Sequence, residues 1–326
     1  MVDLMPTISL LAYAYAAAAV GLTVARLSRA WLGRRGRVPS YPEAVWCVIL
    51  PPLVVVMLPL LSALQPHAAG PMASVHTLWH AWEEAAHTVP ATHGALHVAN
   101  VLLLLFVAVR LACAVHGLAC RYAIAQALRA TAQLHDVRYG DERIYRLPSR
   151  DPACFTVGLV RPAVFLSSGL LEALTPRECE AVLAHESAHV RRRDGLMGAL
   201  LSTFYTIFPL PGSRILLTDW ERAVERACDA EAARRLGNPC DVAAALVRVA
   251  RLAIQFRPSV PGVPGFAASG DDIPGRVEAL LSMPSTGEAA EDSPLILPAV
   301  LFLLSAGVVS ATGFWVRHAV DLFVRH

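Results

Sequence analysis

Two histidines stand four residues apart in the stretch HESAH, at positions 185–189. On an α-helix this spacing puts both imidazoles on one face, one turn apart, where they can bind a single zinc ion. Glu186 lies at the edge of that face and could take a proton from a water that the ion activates. The motif therefore predicts a hydrolytic zinc centre, with His185 and His189 as ligands and Glu186 as general base.

An amphipathic helix that happens to carry histidine would show the same letters, so the flanking residues must support the motif. Thr175 can cap a helix, Pro176 suits its first turn, and Glu178 has the capping-box position. These signals predict a helix from about residue 176 to 192, which carries both histidines.

A catalytic zinc needs a third protein ligand and an open position. A second predicted helix, at 221–236, has Glu225 and Asp229 four residues apart on one face. Glu225 can be the third ligand, and Asp229 can orient a ligating histidine. Glu221 is the competing ligand candidate. Acidic residues among arginines also form ordinary solvated helix faces, which is the simpler explanation.

The composition is typical of a membrane protein. The 326 residues are 55% hydrophobic and 17% charged, with a mean hydropathy of +0.48, whereas soluble domains carry about 25% charged residues. Seven scattered cysteines include no C-x-x-C pair, which argues against a disulfide framework and a thiolate zinc site. No pattern indicates direct nucleic-acid binding.

Four apolar runs are long enough to cross a bilayer, at about 4–25, 44–64, 91–119 and 294–316. Five arginines follow the first run, and none lies in the loop after the second. Cytoplasmic loops are rich in arginine, so we expect the N-terminus outside and the region between the third and fourth runs in the cytoplasm.

The predicted layout is a membrane domain, a zinc peptidase domain, a linker, a fourth transmembrane helix and a short tail, at 1–120, 121–256, 257–293, 294–316 and 317–326. The uncharged run 195–213 could be a fifth span by itself. A single span there would put His189 and Glu225 on opposite sides of the bilayer. We therefore expect this run to be buried, interfacial or re-entrant, with a break at Pro209 and Pro211.

The outer loop and its borders are rich in histidine. His76, His80 and His87 could share one helical face with Glu83 or Glu84 and sense a metal. The alternative is an amphipathic segment anchored at the membrane surface by tryptophans.

The stretch FTVGLVRPAVFLSSGLLEALTPRECEAVLAHESAHVRRRDGL (155–195), followed by ERACD (225–229), resembles the membrane-embedded M56 peptidases, relatives of the BlaR/MecR antibiotic receptors. The resemblance implies a predominantly α fold. Four transmembrane helices would accompany a cytoplasmic gluzincin-type α+β zinc peptidase domain between the third and fourth. It implies one Zn²⁺ per chain, on His185, His189 and Glu225, with Glu186 as base. The run FTVGLVRPAVFLS resembles the family's strand that lines the cleft, where a free edge could hold an extended peptide.

The resemblance also suggests a role. It implies signalling at a bacterial inner membrane by cleavage of a cytoplasmic transcriptional repressor, of a small winged-helix type. The receptors carry a penicillin-binding sensor after their last span. This sequence shows none, so we do not expect β-lactam sensing by that route.

Two other interpretations stay open. The M48 peptidases of the HtpX/Ste24 type share HExxH and a downstream glutamate, and would act in membrane-protein quality control. The forms GLVRP and ExxCD favour M56. The third interpretation is a membrane receptor without catalysis.

Overall fold

The computed structural model describes residues 5–34, 40–63, 90–134, 142–255 and 272–283. The histidine-rich outer loop, most of the predicted linker, the fourth predicted span and the tail lie outside the described residues. The described part is mostly helical. Its elements are α1 Met5–Arg34, α2 Tyr41–Ala63, α3 Pro90–Thr131, β1 Gln133–Leu134, β2 Ile144–Leu147, β3 Cys154–Val157, β4 Ala163–Ser167, α4 Ser168–Ala173, α5 Pro176–Arg192, α6 Asp194–Ile207, α7 Ser213–Leu236, α8 Pro239–Gln255 and α9 Ile273–Leu281.

One helical stretch among the described residues is long and apolar enough to cross a bilayer. It is Val101–Thr131 within α3, with a mean hydropathy of 2.3 and only 6% of its most apolar window buried. Val101 and Leu105 are about 60% exposed (62% and 59%), which suits contact with lipid. Tyr41–Val55 is a shorter apolar helix. The first two predicted spans fall on α1 and α2, and the four-span layout stays a prediction.

The described chain divides into two compact units. The first contains residues up to Ala114 together with Phe204–Leu217, and the second contains Val115–Thr203 and the residues from Thr218 onward. The predicted boundaries at 120 and 256 are a different kind of division, by membrane and peptidase parts, and remain a prediction.

In the first unit, α1 packs along α2, and Gly21 allows their close approach. A Cβ at this position would lie 2.7 Å from the α-carbon of Pro51. The end of α6 belongs to the same unit, and its last carbonyls would lack partners. Tyr15 donates a 2.6 Å hydrogen bond to the carbonyl of Ile207, and Arg110 donates to that of Thr206. Arg110, the one charge in the predicted run 91–119, thus caps a helix end.

The run between the two motif helices is interrupted where the sequence predicted. α6 ends at Ile207 and α7 begins at Ser213, with Pro209 and Pro211 in the connection. Proline lacks the amide donor that a continuing helix needs. The break allows α7 to follow as a separate helix.

The second unit contains a four-stranded sheet in the order β1-β2-β4-β3. β2 and β4 are parallel, and the β1–β2 and β3–β4 pairs are antiparallel. The run FTVGLVRPAVFLS, compared above with a single strand, therefore forms most of a hairpin. The chain turns at Gly158, whose φ of 125° favours glycine. β3 is an edge strand of the described sheet.

All five residues of β4 are buried, because both faces of the strand are covered. Val164 and Leu166 face a cluster formed mainly by α5 and α8. Ala163 and Phe165 face a second cluster with Phe155. α8 contributes an apolar stripe at helical spacing, made by Val242, Ala243, Ala245, Leu246, Val249 and Leu252. The sheet and α8 thus hold α5 from two sides.

Candidate metal centre

Local sequence signals fix the start and the end of α5. Thr175 accepts a hydrogen bond from the backbone N–H of Glu178, and the Glu178 carboxylate accepts one from the backbone N–H of Thr175. This is the predicted capping box. At the other end, Arg193 has φ 55° and ψ 39°, the left-handed conformation that stops a helix. The residues from Ala181 to Ala188 are buried, so the motif lies in the interior.

The two motif histidines face each other across one helical turn. Nε2 of His185 lies 3.2 Å from Nε2 of His189. The side chain of His185 is fully buried, and that of His189 is 16% exposed. The site is therefore open on the side of His189.

Glu225 of α7 completes the group. Its Oε2 lies 3.5 Å from Nε2 of His185, and its Oε1 lies 3.7 Å from Nε2 of His189. Within the described chain, the candidate ligand groups include Glu225 and not Glu221. Two ligand atoms on a tetrahedral zinc at about 2.0–2.1 Å would lie about 3.3 Å apart. The two Nε2 atoms and the Glu225 carboxylate are close enough together to hold one such ion.

Each histidine has a carboxylate at its other ring nitrogen. Asp229 Oδ1 lies 2.9 Å from Nδ1 of His185, and Asp194 Oδ2 lies 2.8 Å from Nδ1 of His189. An ionised carboxylate only accepts, so a carboxylate at this distance favours a proton on each Nδ1. The Nε2 atom of each ring then faces the space between the two histidines, as it does in histidines that bind a metal. Asp229 was singled out in the sequence, and Asp194 was not.

Asp194 reaches His189 because of the turn at Arg193. The left-handed residue reverses the chain directly after α5, and Asp194 begins α6 beside the histidine. The available signal was an acidic residue just after a run of three arginines. That signal does not distinguish a site residue from a helix N-terminal residue.

Arg276 is the second site residue that the sequence did not indicate. It is 1% exposed, and its Nε and Nη2 donate to the two carboxylate oxygens of Asp229, both at 2.7 Å. Its Nη1 lies 2.9 Å from Oε2 of Glu225. It lies on α9, in the segment predicted to be a linker around a short helix. Its only distinction in the sequence is that no other basic residue occurs between 258 and 293.

The carboxylates and His185 shift one another's pKa. Burial lowers the pKa of His185, but hydrogen bonds to Asp229 and Glu225 outweigh it and raise that pKa to about 9. Burial raises the pKa of Glu225 and of Asp229, yet contacts with His185 and Arg276 hold both below their usual values. Both carboxylates are therefore ionised at neutral pH, the form that binds or supports a cation.

Glu186 is buried beside the ligand pair and is tied to the sheet. Thr156 of β3 donates a 2.7 Å hydrogen bond from Oγ1 to Oε2 of Glu186. The edge strand and the carboxylate next to the histidines are thus in direct contact. A peptide paired with this edge would run beside that carboxylate.

Cys228 forms a second possible ligand group with His189 and Asp194. Its Sγ lies 3.5 Å from Nδ1 of His189 and 3.6 Å from Oδ2 of Asp194. Burial and the nearby Asp194 charge raise the pKa of this thiol well above its usual value. Since the thiolate is the form that binds metals, the group with Glu225 is the better cation site.

The family model described as BlaR1 peptidase M56 matches residues 8–245, well over half of the chain. The chain belongs to the M56 peptidase family. Its membership assigns it to a family of membrane metallopeptidases and confirms the resemblance seen in the motifs.

This M56 chain is also similar to HtpX proteases over shorter stretches. It is 42% identical over 64 residues to a Protease HtpX homolog of Pelotomaculum thermopropionicum, covering 19% of this chain and 23% of that protein. It is 30% identical over 118 residues to Protease HtpX of Photorhabdus laumondii, covering 36% and 39%. The chain thus spans well under half the length of these relatives. The crystal structure of S. mikatae Ste24p is similar with a TM-score of 0.35 and 13% identity, over 74% of this chain and 83% of that one.

Proposed function

We propose that this M56 family member is an integral-membrane zinc metalloendopeptidase of the gluzincin type. The observation that carries the proposal is the meeting of three ligand atoms, from His185, His189 and Glu225, all within 4.8 Å of one another. These residues would hold one Zn²⁺ per chain. When bound, the ion would act as a Lewis acid and make water a better nucleophile near neutral pH.

The remaining chemistry belongs to side chains of this chain. Glu186 would take a proton from the attacking water on a carboxylate oxygen and give it to the leaving amine. Thr156 would hold that carboxylate in position through the hydrogen bond to Oε2. Asp229 and Asp194 would keep the two imidazoles in the ligand tautomer. The edge of β3 would hold the peptide in an extended form by backbone pairing.

We propose a multi-pass protein of a bacterial inner membrane, with four spans and the peptidase domain on the cytoplasmic side. The apolar surface of Val101–Thr131 supports one span. The distribution of arginines in the first two connecting loops supports the orientation, with the N-terminus outside.

The substrate we propose is a cytoplasmic transcriptional repressor of a small winged-helix type, cut in response to a signal. Membership in the family matched by the BlaR1 peptidase model supports this class. The second candidate is membrane-protein quality control. It is favoured by the local identity of 42% to a Protease HtpX homolog.

The proposal is tested first on the purified chain in detergent or lipid. We expect wild type to bind one zinc per chain and Glu186→Gln to bind it equally. Cleavage of a casein or peptide substrate should fall about 10²–10⁴-fold in the variant, because general base catalysis is lost. Glu180→Gln is the matched control, because Glu180 lies exposed on the same helix. A wild-type chain that binds no zinc, or a Glu186→Gln variant as active as the control, would overturn the proposed zinc peptidase activity.

The substrate class is tested by a survey of new protein N-termini in cells that carry wild type or Glu186→Gln. A single cut repressor supports signalling. Many cut membrane proteins would replace signalling with quality control. Identical N-termini under several stresses, with identical phenotypes, would favour the receptor without catalysis.

A further inference from the structure

Arg276 is a fully buried cation that contacts two carboxylates of α7. Its guanidinium reaches Asp229 with two nitrogens and Glu225 with the third. Glu225 is the proposed third metal ligand, and Asp229 holds His185. One side chain of α9 therefore contacts one proposed ligand directly and a second one through Asp229.

The positions of the two carboxylates match the planar, forked arrangement of donors on a guanidinium group. Two parallel donors at 2.7 Å fit the two oxygens of Asp229, and the remaining Nη1 is 2.9 Å from Glu225 Oε2. A guanidinium presents its donors in fixed directions, whereas an ammonium is a point charge. Binding both carboxylates at once is therefore a property of arginine at this position.

The negative charges of Glu225 and Asp229 are also stabilised by the positive charge of Arg276. Glu225 and Asp229 lie one turn apart on α7, and both are largely buried, with side-chain exposures of 16% and 2%. Buried like charges repel each other, and a buried charge without a partner is costly. The guanidinium between them allows both carboxylates to stay ionised and separated.

Docking of α9 does not by itself explain a buried arginine. Leu280 is 2% exposed, and Ile273 and Val277 pack against the core cluster of the second unit. A second arginine pair, between Arg226 of α7 and Asp272 at the start of α9, joins the same two helices at a partly exposed position. Apolar contacts and this outer pair already attach α9 to the unit.

We propose that Arg276 is a positioning residue of the metal centre. It holds Glu225 in ligand position and, through Asp229, fixes the ring of His185. α9 is then a component of the site, although it contributes no ligand. This inference rests on the proposed function, in which Glu225 and His185 bind zinc.

The sign of one measurement separates positioning from simple electrostatics. A guanidinium beside the ligands repels a divalent cation, so removal of its charge alone would tighten zinc binding. Loss of positioning has the opposite effect, and loss of such outer contacts typically weakens metal affinity about 10–100-fold. We therefore expect Arg276→Met to bind zinc about 10–100-fold more weakly than wild type.

The test uses the full chain in detergent, with zinc affinity measured by competition against a chromophoric chelator. Arg226→Met is the matched control, because it removes an arginine–carboxylate pair between the same two helices and leaves Glu225 and Asp229 paired. We expect its zinc affinity to stay within about twofold of wild type, since it contacts no proposed ligand. The visible spectrum of the Co²⁺-substituted chain should change in Arg276→Met and not in Arg226→Met.

Arg276→Lys keeps the charge and loses the fork, so it should recover only part of the affinity. It also replaces Arg276→Met in the comparison if that variant does not fold. Zinc binding by Arg276→Met that equals or exceeds wild type, or an equal loss in Arg226→Met, would overturn the positioning role. A wild-type chain that binds no zinc would overturn the proposed function itself, which is a separate and distinguishable result.

Discussion

Thr156 donates a 2.7 Å hydrogen bond to Oε2 of Glu186, and this contact joins the edge strand β3 to the helix that carries the HExxH motif. Thr156 also lies 3.3 Å from the backbone carbonyl of Glu186. The strand that would hold a peptide and the carboxylate that would move the proton are thus held at a fixed separation. Both belong to the second unit of the chain.

We expect Thr156→Val to lower kcat about tenfold without loss of zinc. Hydrogen bonds to charged groups contribute about 1.5–3 kcal/mol, and without this one the Glu186 carboxylate can rotate away from its position. Steady-state kinetics and zinc content check the prediction. Thr156→Ser, which keeps the hydroxyl, should remain close to wild type. Equal activity of the valine and serine variants would contradict the role of the hydrogen bond.

Asp194→Asn should weaken zinc binding about 10–100-fold, because the neutral amide no longer favours a proton on Nδ1 of His189. The measurement is chelator competition on the purified chain. Asp241→Asn is the control, since Asp241 pairs with Arg177 at the surface, away from the histidines. If both variants bind zinc like wild type, Asp194 is only the first residue of α6.

Gly158→Ala should destabilise the second unit by roughly 1–3 kcal/mol. Gly158 has a φ of 125°, and a Cβ there would lie 2.6 Å from the carbonyl oxygen of Arg161. The hairpin between β3 and β4 would have to open to accept a methyl group. Thermal unfolding in detergent measures the change. Gly117→Ala is the control, because a Cβ at Gly117 would meet no atom within 4 Å. If the Tm of Gly117→Ala were as low as that of Gly158→Ala, the turn at Gly158 would not be the cause of the destabilisation.

Thr175→Ala should lower the stability of α5 by about 1 kcal/mol, the usual contribution of an N-cap side chain. The capping box with Glu178 would lose its hydroxyl acceptor. Thr175→Ser keeps an oxygen in the same place and should restore most of the stability. Hydrogen exchange of the first turn of α5 reports the change directly. Equal exchange in the alanine and serine variants would show that Pro176 and Glu178 suffice.

Local patterns predicted the elements that carry the chemistry. The capping residues before and within 176–192 predicted a helix with the observed bounds, and the prolines after 207 predicted the break before α7. The pairing of His185 and His189, and of Glu225 with Asp229, follows from helical spacing of four residues. Such features depend on interactions within one or two turns, so the sequence by itself contains them.

The hairpin at Gly158 was harder to predict. The apolar letters on both sides of GLVRP fit one strand as well as two, and only pairing between β3 and β4 distinguishes them. The arrangement of the membrane spans is equally hard to predict from sequence. Apolar composition indicates that a segment can cross the bilayer, but it does not decide which side of the helix contacts lipid.

The sequence by itself determined the candidate ligand residues, the helices that carry them and the family to which the chain belongs. Tertiary structure alone decided the two supporting residues that no local pattern indicates, which are Asp194 and Arg276. Asp194 reaches His189 through a left-handed turn, and Arg276 enters the site from a helix 47 residues after Asp229. The first contact depends on a turn between two helices, and the second joins residues far apart in the sequence, so neither leaves a periodic pattern. They arise only when the sheet and α8 bring α5, α7 and α9 together.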